Sequence, residues 1–367
     1  MEAADASSAG RRPAAETELR KERFEGSAPA ETLPADGMAS DLPPEAYYQA
    51  LFPPVAGPPF ADPAELERIW GKPWGSWDEV GRLRIVLMRR PGAELEQITE
   101  DAWDSRFDAL VAPDRGWYWT GRKAPDLNRV KSQHETLAEA LEAEGVQIVY
   151  ADPLDARFTK AVHTRDPLMS VPGGVIIGRL ATRMRRGEEA SITRAVAATG
   201  VPILHTIVGS ATVEGGSLVK LSSAVAAYGI SIRCNHEGAE QLAQVLRWLN
   251  IELITVPLSG FSLHLDSCLG MVDADKALVR PERLPYWFLE RLGELSIEAI
   301  FVHPNEKWAV NSLAVRPGSV IMADDCPRTA ELLDRRGVDV VPVPYDEIHH
   351  NGGGIHCSTM ELLRDPA

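Results

Sequence analysis

The chain has 367 residues, 44% of them hydrophobic, and a formal net charge of −15. That length can bury one large core or two medium ones. The acidic balance argues against nucleic-acid binding, because a phosphate partner needs clustered Lys and Arg, and it favours the approach of a small cation.

No stretch reaches the roughly 20 apolar residues of a membrane helix. The N-terminal MEAADASSAGRRPAAETELRKERFEG lacks the apolar core of a signal peptide. The four cysteines, Cys234, Cys268, Cys326 and Cys357, form no CxxC pair. They suggest neither a cysteine-based zinc site nor a disulfide framework, and they point to a reducing cytoplasm.

Residues 1–45 are rich in Ala, Ser, Glu and Pro and read as a disordered tail. Residues 46–82 form a Pro- and Trp-rich extension. Within it LFPPVAGPPF (Leu51–Phe60) should lie extended on the surface, while Trp70, Trp74 and Trp77 suit packing against the first strand. From Leu83 onward the pattern is regular. The Val- and Ile-rich runs Arg84–Met88, Val146–Tyr150, Gly174–Gly178, Pro202–Val208, Ile251–Val256, Lys276–Arg280, Glu298–His303, Ser319–Ala323 and Asp339–Val343 read as strands. Helical spacing is found over Lys131–Glu144, Glu188–Ala198, Glu237–Leu249, Tyr286–Leu295 and Thr329–Arg336. Gly200 and Gly337 follow two of these helices and suit the left-handed turn that closes a helix. Alternation of this kind defines an α/β class. The helices lie roughly 35–50 residues apart, with two or three strands in each interval, which hints at a repeated ββαβ unit. No linker interrupts residues 80–367, so residues 83–367 read as one domain.

Four segments carry residues suited to chemistry. The C-terminal HHNGGGIHCST (His349–Thr359) sets Cys357 behind three glycines that allow unusual backbone and close approach of a ligand. Among polar neighbours this cysteine is a candidate nucleophile. Phe261–Val279 contains His264 and Asp266, which on a strand would share a face; a structural histidine is the alternative. Asp166 precedes Pro167 at the start of a strand, as a site residue or a turn cap. Glu214 is followed by Gly215 and Gly216, as a site residue with room for a ligand or simply as an exposed acid. Taken together, acids, a histidine and a cysteine at strand ends fit a guanidinium. That group is planar, presents five N–H donors and pairs bidentately with carboxylates.

The combination of RDP, EGG, HLD and GGGIHCST in this order resembles the guanidino-group modifying superfamily: arginine deiminases, dimethylarginine dimethylaminohydrolases and amidinotransferases. The likeness runs from about Leu83 to Asp365 and includes RRGEEA (Arg185–Ala190), YGISIRCNHEGAEQL (Tyr228–Leu242) and Pro317–Val343. It implies a pseudo-fivefold α/β propeller of ββαβ units, the pentein-like fold. It also implies Cys357 as nucleophile, His264 as general acid and base, and Asp166, Glu214 and Asp266 as carboxylates that grip the guanidinium or orient the histidine. Arg185 and Arg233 fall where such enzymes bind a substrate carboxylate. The implied activity is hydrolysis of a guanidinium to a ureido product and an amine or ammonia, with no metal or organic cofactor. The partner is a small cationic guanidino substrate rather than nucleic acid or membrane, and a homo-oligomer is left open. An amidinotransferase shares the first half-reaction; a non-catalytic propeller that binds a macromolecule is a reading of another class. One departure from the family pattern is Ser217 where EGGD would place an acid.

Overall fold

The structure, a computed structural model, describes residues 55–367 apart from Arg115 and Phe261. The tail expected over residues 1–45, and residues 46–54 of the extension, lie outside the described residues. Val55–Pro58 are exposed, and Pro59–Ala367 pack together as one unit.

The packed unit opens with α1 (Pro63–Trp70). Its start is set by Asp62, whose side chain accepts from Ala64 N–H at 3.1 Å and Glu65 N–H at 3.0 Å, and its end by Gly71 at φ 77°. Residues 59–82 belong to the same unit as the rest. Trp74 packs with Ile85 and Leu87 of the first strand, whereas Trp70 is 43% exposed and meets Phe60 edge-on.

Five three-stranded sheets share one plan. Each has a first strand antiparallel to a second, then a helix, then a third strand parallel to the second. One comprises β6 (Leu168–Val171), β7 (Gly174–Ile177), α3 (Glu188–Thr199) and β8 (Ile203–Thr206). The next comprises β9 (Leu218–Lys220), β10 (Val225–Ile230), α4 (His236–Trp248) and β11 (Glu252–Pro257). Then come β12 (Leu269–Asp273), β13 (Lys276–Val279), α5 (Tyr286–Glu294) and β14 (Glu298–Phe301). They are followed by β15 (Leu313–Arg316), β16 (Ser319–Ala323), α6 (Pro327–Asp334) and β17 (Asp339–Val343). The fifth joins the two ends of the fold. Its first strand is the C-terminal β18 (Met360–Arg364), antiparallel to β1 (Leu83–Met88), with α2 (Leu127–Ala143) leading to β5 (Gln147–Tyr150). A meander of β2 (Trp103–Asp104), β3 (Ala109–Ala112) and β4 (Trp117–Thr120) lies between β1 and α2.

The alternation of layers follows from burial. Every residue of β6, β9 and β18 is buried, including the polar Ser170, Lys220, Glu361 and Arg364. The third strands are half exposed. β12 lies beside both β9 and β15, and β18 beside β6. The short segments that lead into the first strands are also neighbours. The 3₁₀ turns Gly215–Ser217, Leu265–Ser267 and Ala309–Asn311 stand in a row.

The sequence expectations for the third strands, for the second strands other than β10 and for the helices of the five units agree with these elements within a few residues. α1 and β10 have no counterpart among them, and the Val-Ala-Ala-Tyr-Gly-Ile run of β10 is too rich in alanine and glycine to read as a strand. The first strands, from β6 to β18, show no such signal in the sequence. They are three to five residues long and abut glycine- and turn-rich segments, so no alternation develops. One local expectation is corrected. Leu265–Ser267 is a 3₁₀ turn, not a strand: Cys268 N–H donates to the Leu265 carbonyl at 2.8 Å, while Leu265 is fully buried.

Candidate active site

Each of the five units places a polar residue in the segment just ahead of its first strand. Asp166 precedes β6, Glu214 opens the turn into β9, and His264 and Asp266 sit at the turn into β12. Asn311 ends the turn into β15, and Cys357 lies in the loop into β18. The repeat therefore brings together residues up to 191 positions apart in sequence, as with Asp166 and Cys357.

Glu214, read from sequence as a site acid or an exposed one, is fully buried. Its Oε2 accepts from His264 Nε2 at 2.6 Å and from Arg233 Nη1 at 3.0 Å, and its Oε1 accepts from Ala181 N–H at 2.9 Å. Burial opposes its charge, but His264 and Arg233 outweigh that and hold the carboxyl at about 2. His264 Nδ1 lies 3.4 Å from Asp166 Oδ1. Burial opposes the imidazolium too, yet Asp166 and then Glu214 raise it to about 9, so the ring is a cation at neutral pH.

Asp166 is pinned by Arg185, whose Nη1 donates to its Oδ2. Arg185 also donates to both oxygens of Glu188, at 2.9 and 2.7 Å, and to the His163 carbonyl at 3.2 Å. Arg185, expected to bind a substrate carboxylate, is here the partner of two acids of the chain and not a free cation. Arg233 is different: among the described residues only its Nη1 is engaged by a side chain, and it is 16% exposed.

Cys357 Sγ lies 3.5 Å from Oδ2 of Asp266. The same oxygen accepts from His356 Nδ1 at 2.9 Å. Cys357 N–H donates to Asn311 Oδ1 at 3.1 Å, and Asn311 Nδ2 donates to the Asp266 carbonyl at 3.2 Å, so loop and turn are tied together. Burial, then Asp266 and Asp166, push the thiol well above its ordinary value. The resting pair is therefore a thiol and an imidazolium.

Asp166 Oδ1 and Asp266 Oδ1 are buried without a hydrogen-bond partner among the described residues. Both face Gly216. A Cβ built there would lie 3.0 Å from Asp166 Oδ1, 3.1 Å from His264 Nδ1 and 3.2 Å from Asp266 Oδ1. Two carboxylate oxygens without a hydrogen bond thus face a bare Cα that any side chain at position 216 would crowd. Asp166, Glu214 and His264 also offer ligand atoms within 4.8 Å of one another, a density sufficient for a metal ion. Two of these acids are already paired with guanidinium groups of the chain itself, Asp166 with Arg185 and Glu214 with Arg233.

The three glycines of the cysteine loop allow unusual backbone at Gly352 and close contacts with side chains of the protein itself. Gly352, at φ 90°, admits the Tyr118 hydroxyl, Gly353 admits the His163 ring, and Gly354 admits the Asn311 side chain. They give close approach to the protein's own side chains. Ser217, which stands where the family pattern has an acid, is fully buried.

The sequence pattern does not single out Tyr118, Lys160, Asn311 or His356. Tyr118 comes from β4 and feels the charges of Arg233, Cys357, Arg185 and Asp166. Lys160 Nζ donates to the Tyr118 carbonyl at 2.7 Å and to Asn351 O and Oδ1 at 2.6 and 2.8 Å, which links the meander to the cysteine loop. Only His356, adjacent to Cys357, carries a signal in its position.

A family model described as arginine deiminase matches residues 152–285 and 293–364, more than half of the chain. An arginine deiminase of Borrelia recurrentis (strain A1) is 23% identical over 416 residues, covering 80% of this chain and 98% of that protein. Among solved structures, dimethylarginine dimethylaminohydrolase from Pseudomonas aeruginosa, a cysteine-to-serine mutant complexed with citrulline, is 26% identical with a TM-score of 0.63. It covers 76% of this chain and 99% of its own. The amidinotransferase SxtG from Microseira wollei shares the fold at 18% identity and a TM-score of 0.63, over 80% of this chain and 98% of its own. With its site acids, histidine and cysteine on the repeated strand entries, the chain belongs to the arginine deiminase family, and through it to the guanidino-group modifying superfamily.

Proposed function

We propose that this protein hydrolyses the guanidinium group of arginine or a close relative, through a covalent intermediate on Cys357, to a ureido product and ammonia or an amine. The observation that carries this reading is the pair of carboxylate oxygens that make no hydrogen bond, Asp166 Oδ1 and Asp266 Oδ1, and that converge with His264 Nδ1 over Gly216. A guanidinium seated there would donate to both oxygens. Its positive charge would offset the two carboxylates that hold the Cys357 thiol up. Substrate binding itself would thus favour the thiolate.

The thiolate then adds to the central carbon of the guanidinium. His264, already protonated, gives its proton to the departing amine, and the carbon–nitrogen bond breaks to leave a thiouronium on Cys357. The neutral His264 next takes a proton from water, whose oxygen adds to the same carbon. As the carbon–sulfur bond breaks, the proton of the added hydroxyl passes to the departing sulfur, which returns the Cys357 thiol and releases the ureido product. Glu214 keeps the ring oriented and favours its charged form. The Nε and Nη2 of Arg233, which Glu214 does not engage, support a substrate that carries a carboxylate, hence arginine or a methylated arginine before agmatine.

For the fold, the five ββαβ units and the pairing of β18 with β1 support a radial pseudo-fivefold arrangement in which residues 83–367 form the catalytic domain.

The test is turnover of a guanidino substrate panel by the wild type and by Cys357→Ser, scored for ureido product and released amine, with and without an added amine acceptor. The expected result is ureido product from the wild type alone, with an unchanged melting temperature for the variant. Near-normal turnover by Cys357→Ser would overturn the mechanism, and product formed only with the acceptor present would make the protein an amidinotransferase.

A further inference from the structure

The segment ahead of β1 lies deep in the protein. Gly75 N–H donates to the Leu362 carbonyl at 3.0 Å, and Arg364 N–H donates back to the Gly75 carbonyl at 3.1 Å, so this segment is bonded to β18. Asp78 caps the turn that follows, accepting from Val80 N–H at 2.9 Å and Gly81 N–H at 2.6 Å. Between them Glu79 is 5% exposed and points inward. Its Oε1 lies 3.0 Å from Lys220 Nζ, and Lys220 Nζ donates to Glu361 at 2.8 Å. Arg165 Nη2 lies 2.7 Å from the other oxygen of Glu361. At one end of this buried chain of charges stands His356. Its Nε2 lies 3.7 Å from Glu79 Oε2, while its Nδ1 lies 2.9 Å from Asp266 Oδ2.

We propose that His356 is a positioning residue of this site: a cation held between Asp266 and Glu79 that turns Asp266 so that Oδ1 faces the seat over Gly216, and that offsets the field of Asp266 at the Cys357 sulfur. The proposal rests on the reading of Cys357 as nucleophile. It also gives the segment before β1, which lies outside the residues matched by the family model, a part in the site.

Asp266 is divided between two tasks. Its Oδ2 is occupied by His356 and Cys357, which leaves Oδ1 as the oxygen free for a substrate. A neutral ring could supply the hydrogen bond that fixes this orientation. Only a charged ring also compensates the carboxylate 3.5 Å from the sulfur. The groups that face His356 are Asp266 from the turn into β12, Glu79 from the segment before β1, and Arg165 from the turn into β6, whose Nε donates to the His356 carbonyl at 3.4 Å. Burial and Arg165 oppose the charge; Asp266 and Glu79 favour it and prevail, so the ring titrates above its ordinary value. The charged groups that hold the Cys357 thiol up are Asp266 and Asp166.

The experiment measures alkylation of Cys357 by iodoacetamide in the full-length protein at pH 8, followed by mass spectrometry of the peptide that carries Cys357. No substrate is needed, so the result is independent of which guanidino compound is turned over. His356→Asn keeps a donor near the Nδ1 position without the charge, and His356→Leu removes both. We expect the rate to fall by at least about tenfold in both variants, the change produced by one unit in the thiol pKa. kcat/KM for arginine should fall with it. A wild-type rate in His356→Asn overturns the charge argument, since a hydrogen bond alone would then suffice. Wild-type rates in both variants overturn the proposal altogether. Glu79→Gln leaves His356 in place and carries the test if the His356 variants do not fold: a lowered rate supports the proposal, and an unchanged one removes Glu79 from it. If alkylation responds as expected while the wild type turns over no guanidino compound, the positioning role stands and the proposed reaction fails.

Discussion

His264 donates from Nε2 to Oε2 of Glu214 across 2.6 Å in the interior, and together with the charge of Asp166 this bond favours the protonated ring. A buried histidine without such partners would be neutral at pH 7, as His163 is, pushed down to about 3 by burial and Arg185. Asp166 and Glu214 reverse that outcome at His264.

Glu214→Gln keeps the shape and removes the charge. Because His264 must be protonated to release the amine, wild-type activity should fall as pH rises through about 9. In the variant that basic limb should move down by more than one unit, and kcat/KM should fall by about 10²–10⁴ at pH 8. The same shifts bear on stability. The folded value of His264 exceeds its ordinary 6.5, so its contribution is complete below about 6.5 and is lost as pH rises through about 9. Glu214 acts in the other direction: its contribution is present above about 4.5 and is lost as pH falls through about 2. A pH–rate profile with an unmoved basic limb in Glu214→Gln would contradict the assignment of His264 as the acid.

Gly216→Ala tests the seat directly. The added methyl would stand 3.0–3.2 Å from Asp166, His264 and Asp266, where a substrate carbon is proposed to sit. We expect a loss of about 100-fold or more in kcat/KM, the usual cost of a displacement near 1 Å. Normal kinetics in Gly216→Ala would show that the guanidinium binds elsewhere.

Arg233→Met separates carboxylate recognition from guanidinium chemistry. Arginine carries a carboxylate and agmatine does not. A charged hydrogen bond contributes about 1.5–3 kcal/mol, so the KM for arginine should rise at least about tenfold more than that for agmatine. Equal changes for both substrates would confine Arg233 to its contact with Glu214.

Glu361→Gln tests the buried charges behind the site. Glu361 is fully buried between Lys220 and Arg165, and although burial opposes its charge these cations hold it at about 2. Removing its charge leaves two buried cations with Glu79 as their remaining close carboxylate. Breaking one partner of such a group costs about 3–5 kcal/mol. Urea unfolding should report a loss in that range, and a change under about 1 kcal/mol would mean that the network relaxes freely.

What the sequence determined was local. The period of apolar residues marked the helices of the five units, which present one face to the core and the other to water, and short runs rich in Val and Ile marked the third strands and every second strand but β10. Glycine and proline marked the turns, and the order of RDP, EGG, HLD and GGGIHCST pointed to residues that the fold brings together. What only the tertiary structure decided was non-local. The first strands are mostly buried, β6, β9 and β18 at every residue, and too short to show a period. The turn at Leu265–Ser267 replaces the expected strand because its backbone closes on itself around a buried leucine. The glycines of the cysteine loop make room for Tyr118, His163 and Asn311, which come from remote parts of the chain that no local pattern connects to the loop. Above all, the ionisation of His264, the pinning of Asp166 by Arg185 and the division of Asp266 between His356 and the seat depend on which charges meet in the interior, and only the packed fold sets those distances.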